Sequence, residues 1–366
     1  MNTHGRVLVA MSGGVDSSVT ALLLKEQGYD VIGAHMKLWD YVDVGGDLHR
    51  DGRCCGIDSV TDCRFVCDKI DAPFYVLNLS DTFRQQVIED FVAEYAAGRT
   101  PNPCVRCNTD VKWDAFLSKA DELGCNHIAT GHYSIIDRSD NGRWRIRKGV
   151  DATRDQSYVL WGLNQSVLAR TLMPLGGLHK SEVREIARKH DLRTAEKAES
   201  REICFVADDD YHRFLREYAS KHELRFHPGQ IVHADGRVLG EHEGTEFYTV
   251  GQRKGIGIGH ATPLYVQRVD PAFGQVIVGD DADLYTNELV AKQVNWVSQS
   301  PPAPDVAFSC EAKIRYLHQP AEVAASVIDA DRLHLVFREK QRAVTPGQSV
   351  VLYDGDAVIA GGIIAK

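Results

Sequence analysis

The sequence predicts an α/β protein, in which a doubly wound parallel-sheet domain is followed by a small central domain and a C-terminal β-barrel. The first observation is the alternation of short apolar runs with helical patterns between Arg6 and Thr130, which is typical of parallel sheets. The second is a change beyond about Asp208, where short runs are separated by Gly and Pro. The third is the alternating pattern from Leu289 onwards, which predicts barrel strands. We expect domains at residues 1–206, 207–284 and 285–366.

Length and composition are those of a globular protein with several cores. The chain has 366 residues, of which 43% are hydrophobic and 25% charged. No apolar run approaches the roughly 20 residues of a membrane span, and the first strand begins too early for a signal peptide. We therefore expect a cytoplasmic protein with no membrane partner. Nine cysteines in such a chain predict reduced thiols with chemical or metal-binding roles.

The first elements can be placed in order along the chain. Arg6 to Ala10 is an apolar run that predicts a strand, and the helix that follows the next loop ends at Gly28. A second strand is expected from Val31 to Leu38. The polar, Gly-rich stretch from Asp40 to Gly56 predicts a loop.

Further helices and strands alternate up to Thr130. Ser80 is expected to cap a long helix that Gly98 ends. The apolar stripe of that helix has helical spacing and consists of Phe83, Val87, Ile88, Phe91, Val92 and Tyr95. A Pro-rich loop is expected from Thr100 to Asn108. The other predicted elements are a helix from Asp58 to Ile70, a strand from Pro73 to Leu79, a helix through Leu123 and a strand from His127 to Thr130.

The remaining predicted elements are a hairpin, two helices and the barrel strands. Ile135 to Arg147 forms a hairpin pattern that turns at Asp140-Asn-Gly142. Helices are expected from Lys180 to His190 and up to about Lys221. The glycine-rich run Gly251-Gln-Arg-Lys-Gly-Ile-Gly-Ile-Gly259 follows. The clearest barrel strands are Leu333–Phe337 and Ser349–Tyr353.

The stretch Met11-Ser-Gly-Gly-Val-Asp-Ser-Ser18 connects the first strand to the first helix. A Ser/Gly turn at this place presents backbone N–H groups at a helix N-terminus, where phosphate oxygens bind. The Gly-Lys-Ser/Thr ending of a P-loop is missing, and so is the Gly-x-Gly-x-x-Gly pattern of dinucleotide sites. We therefore call this stretch the phosphate loop and expect an anion site of another kind there. A strand-to-helix turn without a ligand is the alternative.

Other chemistry-bearing residues also follow predicted strands. Met36 lies near the end of the second strand, and Gly131-His132-Tyr133 follows the strand from His127. Ligands of doubly wound sheets bind at the carboxyl ends of the strands. We therefore expect these residues, the phosphate loop and the cysteine-containing loop near the same sheet edge.

Cys104 and Cys107 form a C-x-x-C pair just before a predicted helix. The helix dipole and Arg106 are expected to lower the thiol pKa there. Half a zinc site, a redox dithiol and a nucleophile with a partner all remain open. A zinc site with four ligands needs a second pair, and Cys204 is the only other cysteine in a comparable polar, turn-rich context, so the zinc interpretation is incomplete.

The other cysteines are expected to be structural. Cys63 and Cys67 have helical spacing and more often represent buried apolar thiols. Cys125 and Cys310 lie in strand-like contexts typical of a core. Nothing in the pattern explains the adjacent Cys54 and Cys55.

The charge pattern does not by itself indicate a nucleic-acid partner. The formal net charge is −9, so an RNA would need a local basic surface. Basic residues cluster at Arg143-Trp-Arg-Ile-Arg-Lys148, and they recur at helical spacing from Lys180 to Lys189. Taken alone, both patterns are more typical of a solvated face.

The phosphate loop resembles the S-G-G-x-D-S signature of the ATP pyrophosphatase (PP-loop) superfamily, whose members cleave ATP to AMP and pyrophosphate while adenylating a substrate. Further motifs extend the resemblance over essentially the whole chain, to the tRNA-specific 2-thiouridylases. These motifs are Met11–Ser17, Gly98–Pro103 with Cys107 and Asn108, Ala129–Tyr133, Asp155–Tyr158, Ile203–Phe205, Gly251–Gly255 and Thr345–Gln348.

The resemblance implies an enzyme that replaces O2 of the wobble uridine, at position 34 in tRNAs for Lys, Glu and Gln, by sulfur. It implies ATP and Mg²⁺ as cofactors, and a desulfurase or a sulfur-relay protein as the donor. Cys107 matches the family's nucleophile, and Cys204 matches its persulfide carrier, which forms a transient disulfide with Cys107.

The resemblance also implies two sets of binding residues. The ATP set is Ala10, Met11, Ser12, Gly13, Gly14, Val15, Asp16 and Ser17, with Met36 and Gly131 on the adenine and ribose side. The tRNA set is Asn102, Pro103 and Cys104 at the target base, and His132, Arg154, Asp155, Gln156, Arg315, Tyr316 and Gln348 elsewhere.

One residue departs from the family pattern. Many members have Asp where this chain has Cys104, and that Asp is given a proton-transfer role. A thiol, with a reference pKa of about 8.5, is a poor substitute for a carboxylate base. We therefore hypothesise that Cys104, Cys107 and Cys204 ligate a 4Fe–4S cluster with one iron open to sulfur.

Two rival functions remain at this stage. A PP-loop ligase that adenylates a small molecule would need neither the paired cysteines nor the C-terminal domains. A metal-dependent RNA-binding module would give no reason for the ATP loop. Release of pyrophosphate that depends on tRNA separates all three possibilities.

Overall fold

The computed structural model describes residues 4–40, 44, 57–198, 203–206, 208, 210–304 and 306–365. The predicted loop from Asp40 to Gly56, with Cys54 and Cys55, therefore lies almost entirely outside the described residues. The chain divides into two compact units. The first comprises Met1–Val87, Cys104–Phe214 and Asp356–Val358, and the second comprises Ile88–Pro103, Leu215–Gly355 and Ile359–Lys366.

The α-helical segments of the described chain are α1 (Val15–Glu26), α2 (Ile57–Lys69), α3 (Ser80–Phe83), α4 (Glu89–Ala96), α5 (Pro103–Arg106), α6 (Phe116–Glu122), α7 (Gln165–Leu168), α8 (Lys180–Lys189) and α9 (Tyr211–Lys221). Two π-helical segments, Arg84–Ile88 and Cys107–Ala115, connect α3 to α4 and α5 to α6. None of the described helices is both long and apolar enough to cross a membrane.

The first unit contains a parallel sheet in the order β3-β2-β1-β4-β7. Its strands, with the hairpin β5–β6, are β1 (Arg6–Ala10), β2 (Asp30–Lys37), β3 (Phe74–Asn78), β4 (His127–Ala129), β5 (Ser134–Arg138), β6 (Trp144–Lys148) and β7 (Thr171–Leu172). In the central strand, Val7 aligns with Val31 on one side and with His127 on the other. The strand order therefore reverses between β1 and β4, which is where doubly wound sheets bind ligands.

The hydrophobic core of the first unit lies between this sheet and its helices. Val7 and Val9 of β1 pack with Val19 of α1 and with Cys63 and Cys67 of α2, all of them fully buried. Each such side chain contributes roughly 1–3 kcal/mol by leaving water. The prediction that Cys63 and Cys67 are buried core thiols is confirmed.

The second unit contains a small four-stranded sheet and a barrel. The strands of the small sheet, in the order β10-β11-β8-β9, are β8 (Gly229–His233), β9 (Val238–His242), β10 (Tyr265–Asp270) and β11 (Gln275–Gly279). The barrel strands are β12 (Tyr285–Trp296), β13 (Phe308–Lys313), β14 (Ala321–Val327), β15 (Leu333–Arg342), β16 (Ser349–Asp354) and β17 (Ala357–Ile364). Pairing of Ala291 with Ile364 closes the barrel. The predicted fold class, with a parallel sheet, a small central domain and a C-terminal barrel, is confirmed.

Two local predictions about this fold are wrong. Ser80 is not the helix cap, because the side chain of Asn78 accepts hydrogen bonds from the N–H and the hydroxyl of Ser80. The segment around the two cysteines is not an extended loop, because α5 begins at Pro103 and continues directly into a π-helical segment. Proline has the φ angle of a first helical residue and needs no amide hydrogen bond there.

Candidate active site

The phosphate loop connects β1 to α1, as predicted. Its backbone is held by the hydroxyl of Ser17, which accepts a hydrogen bond from Ser12 N at 3.1 Å and donates one to Gly14 O at 3.2 Å. The hydroxyl of Ser18 also donates to Gly14 O, at 2.8 Å. Gly14 is the N-cap residue and has no side chain to cover the first N–H groups of α1. Those donors are therefore left for an anion.

Two glycines permit close packing around this loop. Gly13 has a φ of +74°, and a Cβ there would lie 2.6 Å from Ser59 O. A Cβ on Gly131, which follows β4, would lie 3.0 Å from the carbonyl carbon of Asp16. Larger side chains at these positions would separate the segments that form the site.

Met36 and Gly131 lie on opposite sides of the phosphate loop. Met36 is near the end of β2, and Gly131 follows β4, while β2 and β4 are the two neighbours of β1. Both residues are partly exposed. The structure therefore places them at the sheet edge that the sequence predicts.

Asp16 is bound by Tyr133, which the sequence predicts at this sheet edge, and by Lys180, which the sequence pattern does not assign to the site. Lys180 Nζ lies 2.7 Å and 2.8 Å from the two carboxylate oxygens of Asp16, and Tyr133 donates its hydroxyl to Oδ1 at 2.7 Å. Lys180 is only 9% exposed. The interpretation of Lys180 as part of a solvated basic face is therefore wrong. Its place at the start of a helix that follows a parallel strand was the available signal.

Asp151 fixes the start of α8 and with it the position of Lys180. Its carboxylate accepts from Lys180 N at 3.0 Å and from the hydroxyl of Thr153 at 2.6 Å. These hydrogen bonds, that of Thr153 first, hold the pKa of Asp151 below its usual value. The Lys180 ammonium is thus held beside the phosphate loop by a folded framework.

The environment of Cys107 contradicts the expected thiol activation. Cys107 is 7% exposed, and burial raises the pKa of its thiol to about 11, although the Lys112 ammonium opposes the change. Cys104 is in contact with solvent, yet desolvation by the surrounding protein raises the pKa of its thiol as well. Arg106, the cation expected to lower the thiol pKa, instead lies 3.9 Å from the carboxylate of Asp110. The resting form of both cysteines is therefore the neutral thiol.

Lys112 is a second residue that sequence reasoning missed. It donates to Asn108 Oδ1 at 2.9 Å, and its charge lowers the thiol pKa of Cys107 and Cys104. It belongs to the π-helical segment that begins at Cys107, where residues five apart lie on one face. This spacing is what brings Lys112 onto the face of Cys107.

Alkylation of Cys107 should report this cation. Because a positive charge favours the thiolate, we expect Lys112→Met to slow iodoacetamide labelling of Cys107 at pH 8–9 by about tenfold. Lys112→Arg, which keeps the charge, should label at close to the wild-type rate. Site-resolved mass spectrometry over a pH series measures both rates. Equal labelling of Lys112→Met and wild type across that series would contradict the assignment.

His132 is buried and neutral rather than open to solvent. Its Nδ1 lies 2.8 Å from Thr130 Oγ1, and its ring centroid lies 5.4 Å from that of Trp113. Burial first, and then the charge of Lys112, lower its pKa well below the ordinary value. This residue can therefore offer an uncharged imidazole.

Cys204 lies in a short turn held by aromatic packing. Phe205 is 1% exposed and makes edge contacts with Phe83 and Phe214, at centroid distances of 5.8 Å and 5.2 Å. Cys204 itself is half-buried and, like Cys107, is a reduced cysteine rather than half of a disulfide. The turn thus keeps an accessible thiol next to a fixed anchor.

The residues proposed for a 4Fe–4S cluster do not fit that group in this structure. Within the described ranges, no three His, Cys, Asp or Glu side chains come together as metal ligands. The raised thiol pKa of Cys104 and Cys107 also opposes the thiolate form that iron requires.

Asp155 and Gln156 already have structural partners. Asp155 accepts from Gly149 N at 3.1 Å and from the hydroxyl of Ser157 at 2.8 Å. Gln156 Oε1 accepts from Tyr133 N at 3.0 Å. These two side chains hold the segment that includes the partly exposed Arg154, and they fix the backbone of the tyrosine that binds Asp16.

The predicted tRNA residues of the second unit fall in two places. Tyr316 is 38% exposed in the connection after β13, next to Arg315, and Lys313 Nζ lies 6.0 Å from its ring centroid. Gln348 donates its amide to Thr100 O and to Pro101 O, both at 3.0 Å. Gln348 therefore supports the chain just before Asn102 and Pro103.

Three family models match consecutive parts of the chain. They are described as a tRNA methyl transferase HUP domain (residues 5–208), a tRNA methyl transferase PRC-barrel domain (residues 213–280) and an aminomethyltransferase β-barrel domain (residues 286–364). Their order agrees with the parallel sheet, the small sheet and the barrel. The first match supports ATP binding at the phosphate loop.

Curated relatives align with the chain from end to end. The tRNA-specific 2-thiouridylase MnmA of Geotalea uraniireducens is 49% identical over 99% of this chain and 96% of that protein. The protein of the same name from Geobacter metallireducens is 49% identical over 98% and 96%. That of Clostridioides difficile is 44% identical over 100% and 99%. The chain therefore belongs to the tRNA-specific 2-thiouridylase family.

Proposed function

We propose that the protein is the enzyme that 2-thiolates the wobble uridine of tRNAs for Lys, Glu and Gln, using ATP. The observation that carries this proposal is one compact unit that holds both a phosphate loop with a paired Asp16–Lys180 and two reduced cysteines, Cys107 and Cys204. The full-length similarity to 2-thiouridylases supports the choice of reaction.

ATP is needed because the uridine carbonyl oxygen is a poor leaving group. Adenylation of O2 forms a bond from that oxygen to the α-phosphorus and releases pyrophosphate. Sulfur attack at C2 then expels AMP. We assign the ATP phosphates to the segment Ala10–Ser17, and the adenine and ribose side to Met36 and Gly131. Lys180 is well placed to balance phosphate charge once the carboxylate of Asp16 has another partner.

Mg²⁺ would be held by Asp16 and would neutralise pyrophosphate when bound. The carboxylate fits this ligand, since hard cations prefer oxygen donors and the side chain of Asp16 is 33% exposed. A bound cation would also replace Lys180 as the counter-charge of Asp16.

Two cysteines allow sulfur to be transferred without leaving the base attached to the enzyme. The terminal sulfur of a persulfide on Cys204 bonds to C2, and AMP leaves with the electron pair. The thiolate of Cys107 then attacks the sulfur of Cys204, which forms a disulfide and releases the thiolated base. A reductant reopens that disulfide.

We place the target base at Asn102, Pro103 and Cys104, and tRNA contacts at His132 and at Arg154–Gln156, with others at Arg315, Tyr316 and Gln348. We propose a cytoplasmic enzyme with domains at residues 1–206, 207–284 and 285–366. A desulfurase or a sulfur-relay protein would load the persulfide.

Pyrophosphate release tests the proposal. We expect ATP to be cleaved to AMP and pyrophosphate only when tRNA with a wobble uridine is present. The same tRNA with cytidine at position 34 is the matched control and should give only background release. Release that is independent of tRNA would instead indicate a small-molecule ligase, and a tRNA-binding protein that makes no pyrophosphate would indicate a binding module.

A further inference from the structure

The glycine-rich run Gly251–Gly259 has no part in the proposed chemistry. It belongs to the connection between the turn Thr245–Phe247 and β10, outside the helices and strands. Such a connection needs glycine where φ is positive, and Gly251, Gly255 and Gly257 meet that condition. Positive φ does not explain the whole run.

The loop that contains this run is attached to the small sheet by backbone hydrogen bonds and by packed isoleucine side chains. Gly251 N donates to Val266 O at 2.8 Å, and Val266 N donates to Gln252 O at 2.9 Å. Ile256 is 6% exposed and is part of the core of the small sheet, and Ile258 packs against that core. Because these isoleucines alternate with glycines, the glycines face solvent. The core of the small sheet holds their backbone in place.

Gly259 is not required by the fold. A Cβ there would meet no atom within 4 Å, and its φ lies outside the left-handed region. By contrast, a Cβ on Gly229 of the same small sheet would lie 1.9 Å from Gly274 O. Where neither packing nor the φ angle requires a glycine, the missing side chain leaves room for a ligand to approach the backbone.

The surface of the loop offers donors and positive charge. The N–H groups of the three exposed glycines, Gly255, Gly257 and Gly259, donate to no acceptor in the described part of the chain. Arg253 and Lys254 are exposed and form no ion pair with described residues. Free amides together with unpaired cations form an anion-binding surface.

Other arginines of the small sheet differ from Arg253. Arg237 lies 2.8 Å from Asp235, and Arg268 lies 3.3 Å from Asp270. Their side chains are also open to water, at 65% and 69% exposure, but their charges are already balanced. The unpaired charge on this sheet is thus concentrated at the loop.

We propose that the loop 253–263 is a binding site for the phosphate backbone of tRNA, separate from the residues assigned to the target base. Arg253 and residues 255–264 line a groove of about 570 Å³. The polar side chains in it, His260 and Thr262, contact each other, and Thr262 Oγ1 also lies 3.5 Å from Asp280 Oδ1. The N–H groups of the glycines and the Arg253 guanidinium are the groups in the groove that remain for a phosphate. This set suits contact with phosphates regardless of sequence. The choice of RNA as the polyanion rests on the proposed function.

Binding of tRNA at several salt concentrations tests this site. The variant Arg253→Gln/Lys254→Gln should bind unmodified substrate tRNA about tenfold more weakly at physiological salt. Its slope of log affinity against log salt should fall by about 1.5, because roughly 0.7–0.9 is lost per phosphate contact. The control Arg237→Gln/Arg268→Gln removes the same charge from the same sheet and should leave the slope unchanged.

A glycine pair separates ligand approach from folding. Gly259→Ala should weaken tRNA binding without lowering the melting temperature. Gly177→Ala, another position where a Cβ meets nothing, should change neither. If Arg253→Gln/Lys254→Gln and Gly259→Ala both bound tRNA with wild-type affinity and a wild-type salt slope, the proposed site would be overturned. It would also be overturned if these variants bound tRNA normally but no longer took up sulfur from a relay protein, because the loop would then bind that protein. If wild-type protein bound tRNA no better than a duplex DNA of equal charge, the proposed function would fail instead.

Discussion

Replacing Lys180 by Met is expected to lower tRNA-dependent pyrophosphate release by at least about 100-fold. A single fixed charge at a developing anion contributes on this scale to a rate, and Lys180 is the ammonium within 2.8 Å of Asp16 beside the phosphate loop. Asp16→Ala should lose adenylation to a similar extent. Methionine keeps the buried aliphatic part of the lysine side chain, so the melting temperature should change little.

A matched ion pair provides the control for Lys180. Arg170 lies 2.6 Å from Asp121 in the same unit, at the amino end of β7 rather than at the carboxyl edge. Arg170→Met should retain pyrophosphate release. Lys180→Arg should recover part of the activity because it restores the charge with a different shape. If Lys180→Met released pyrophosphate at the wild-type rate, the ion pair between Lys180 and Asp16 would be only structural.

Replacing either Cys107 or Cys204 by Ser should abolish 2-thiouridine formation while the first adenylation still releases pyrophosphate, up to about one per bound tRNA. A hydroxyl at position 204 cannot carry a persulfide, and a hydroxyl at position 107 cannot cleave the disulfide that joins Cys204 to the base, whereas the phosphate loop is unaffected. Thiolation should fall by at least about 1,000-fold, measured as 2-thiouridine by nucleoside mass spectrometry, with tRNA affinity near that of wild type.

Cys310 provides the matched cysteine for comparison. Like Cys204 it is half-buried and reduced, but it lies in barrel strand β13. Cys310→Ser should thiolate tRNA at close to the wild-type rate. Retained thiolation by Cys107→Ser or by Cys204→Ser would exclude the two-cysteine route.

The phosphate loop and the sheet edge could be predicted because their signals are local. The turn Met11–Gly14 lies between an apolar run and a helical pattern, and the carboxyl ends of parallel strands must meet at one edge. The buried stripe from Phe83 to Tyr95 was predicted for the same reason, since helical spacing is read directly from the sequence.

The pairing of Asp16 with Lys180 could not be predicted because 164 positions separate the two residues. The basic residues of α8 share helical spacing, and only the packing of the helix shows that Lys180 is buried. The thiol pKa of Cys107 was missed for a related reason. A helix dipole and a neighbouring cation are local, whereas burial depends on the whole fold and has the larger effect here.

The most direct test follows labelled sulfur through one turnover. Wild-type protein loaded with a ³⁵S-persulfide on Cys204 is mixed with ATP and wobble-uridine tRNA, without free sulfide. We predict that the label appears in 2-thiouridine at position 34, with one AMP and one pyrophosphate formed per labelled base and a Cys107–Cys204 disulfide left on the protein. Label that stays on the protein while 2-thiouridine forms only after sulfide is added would contradict the account.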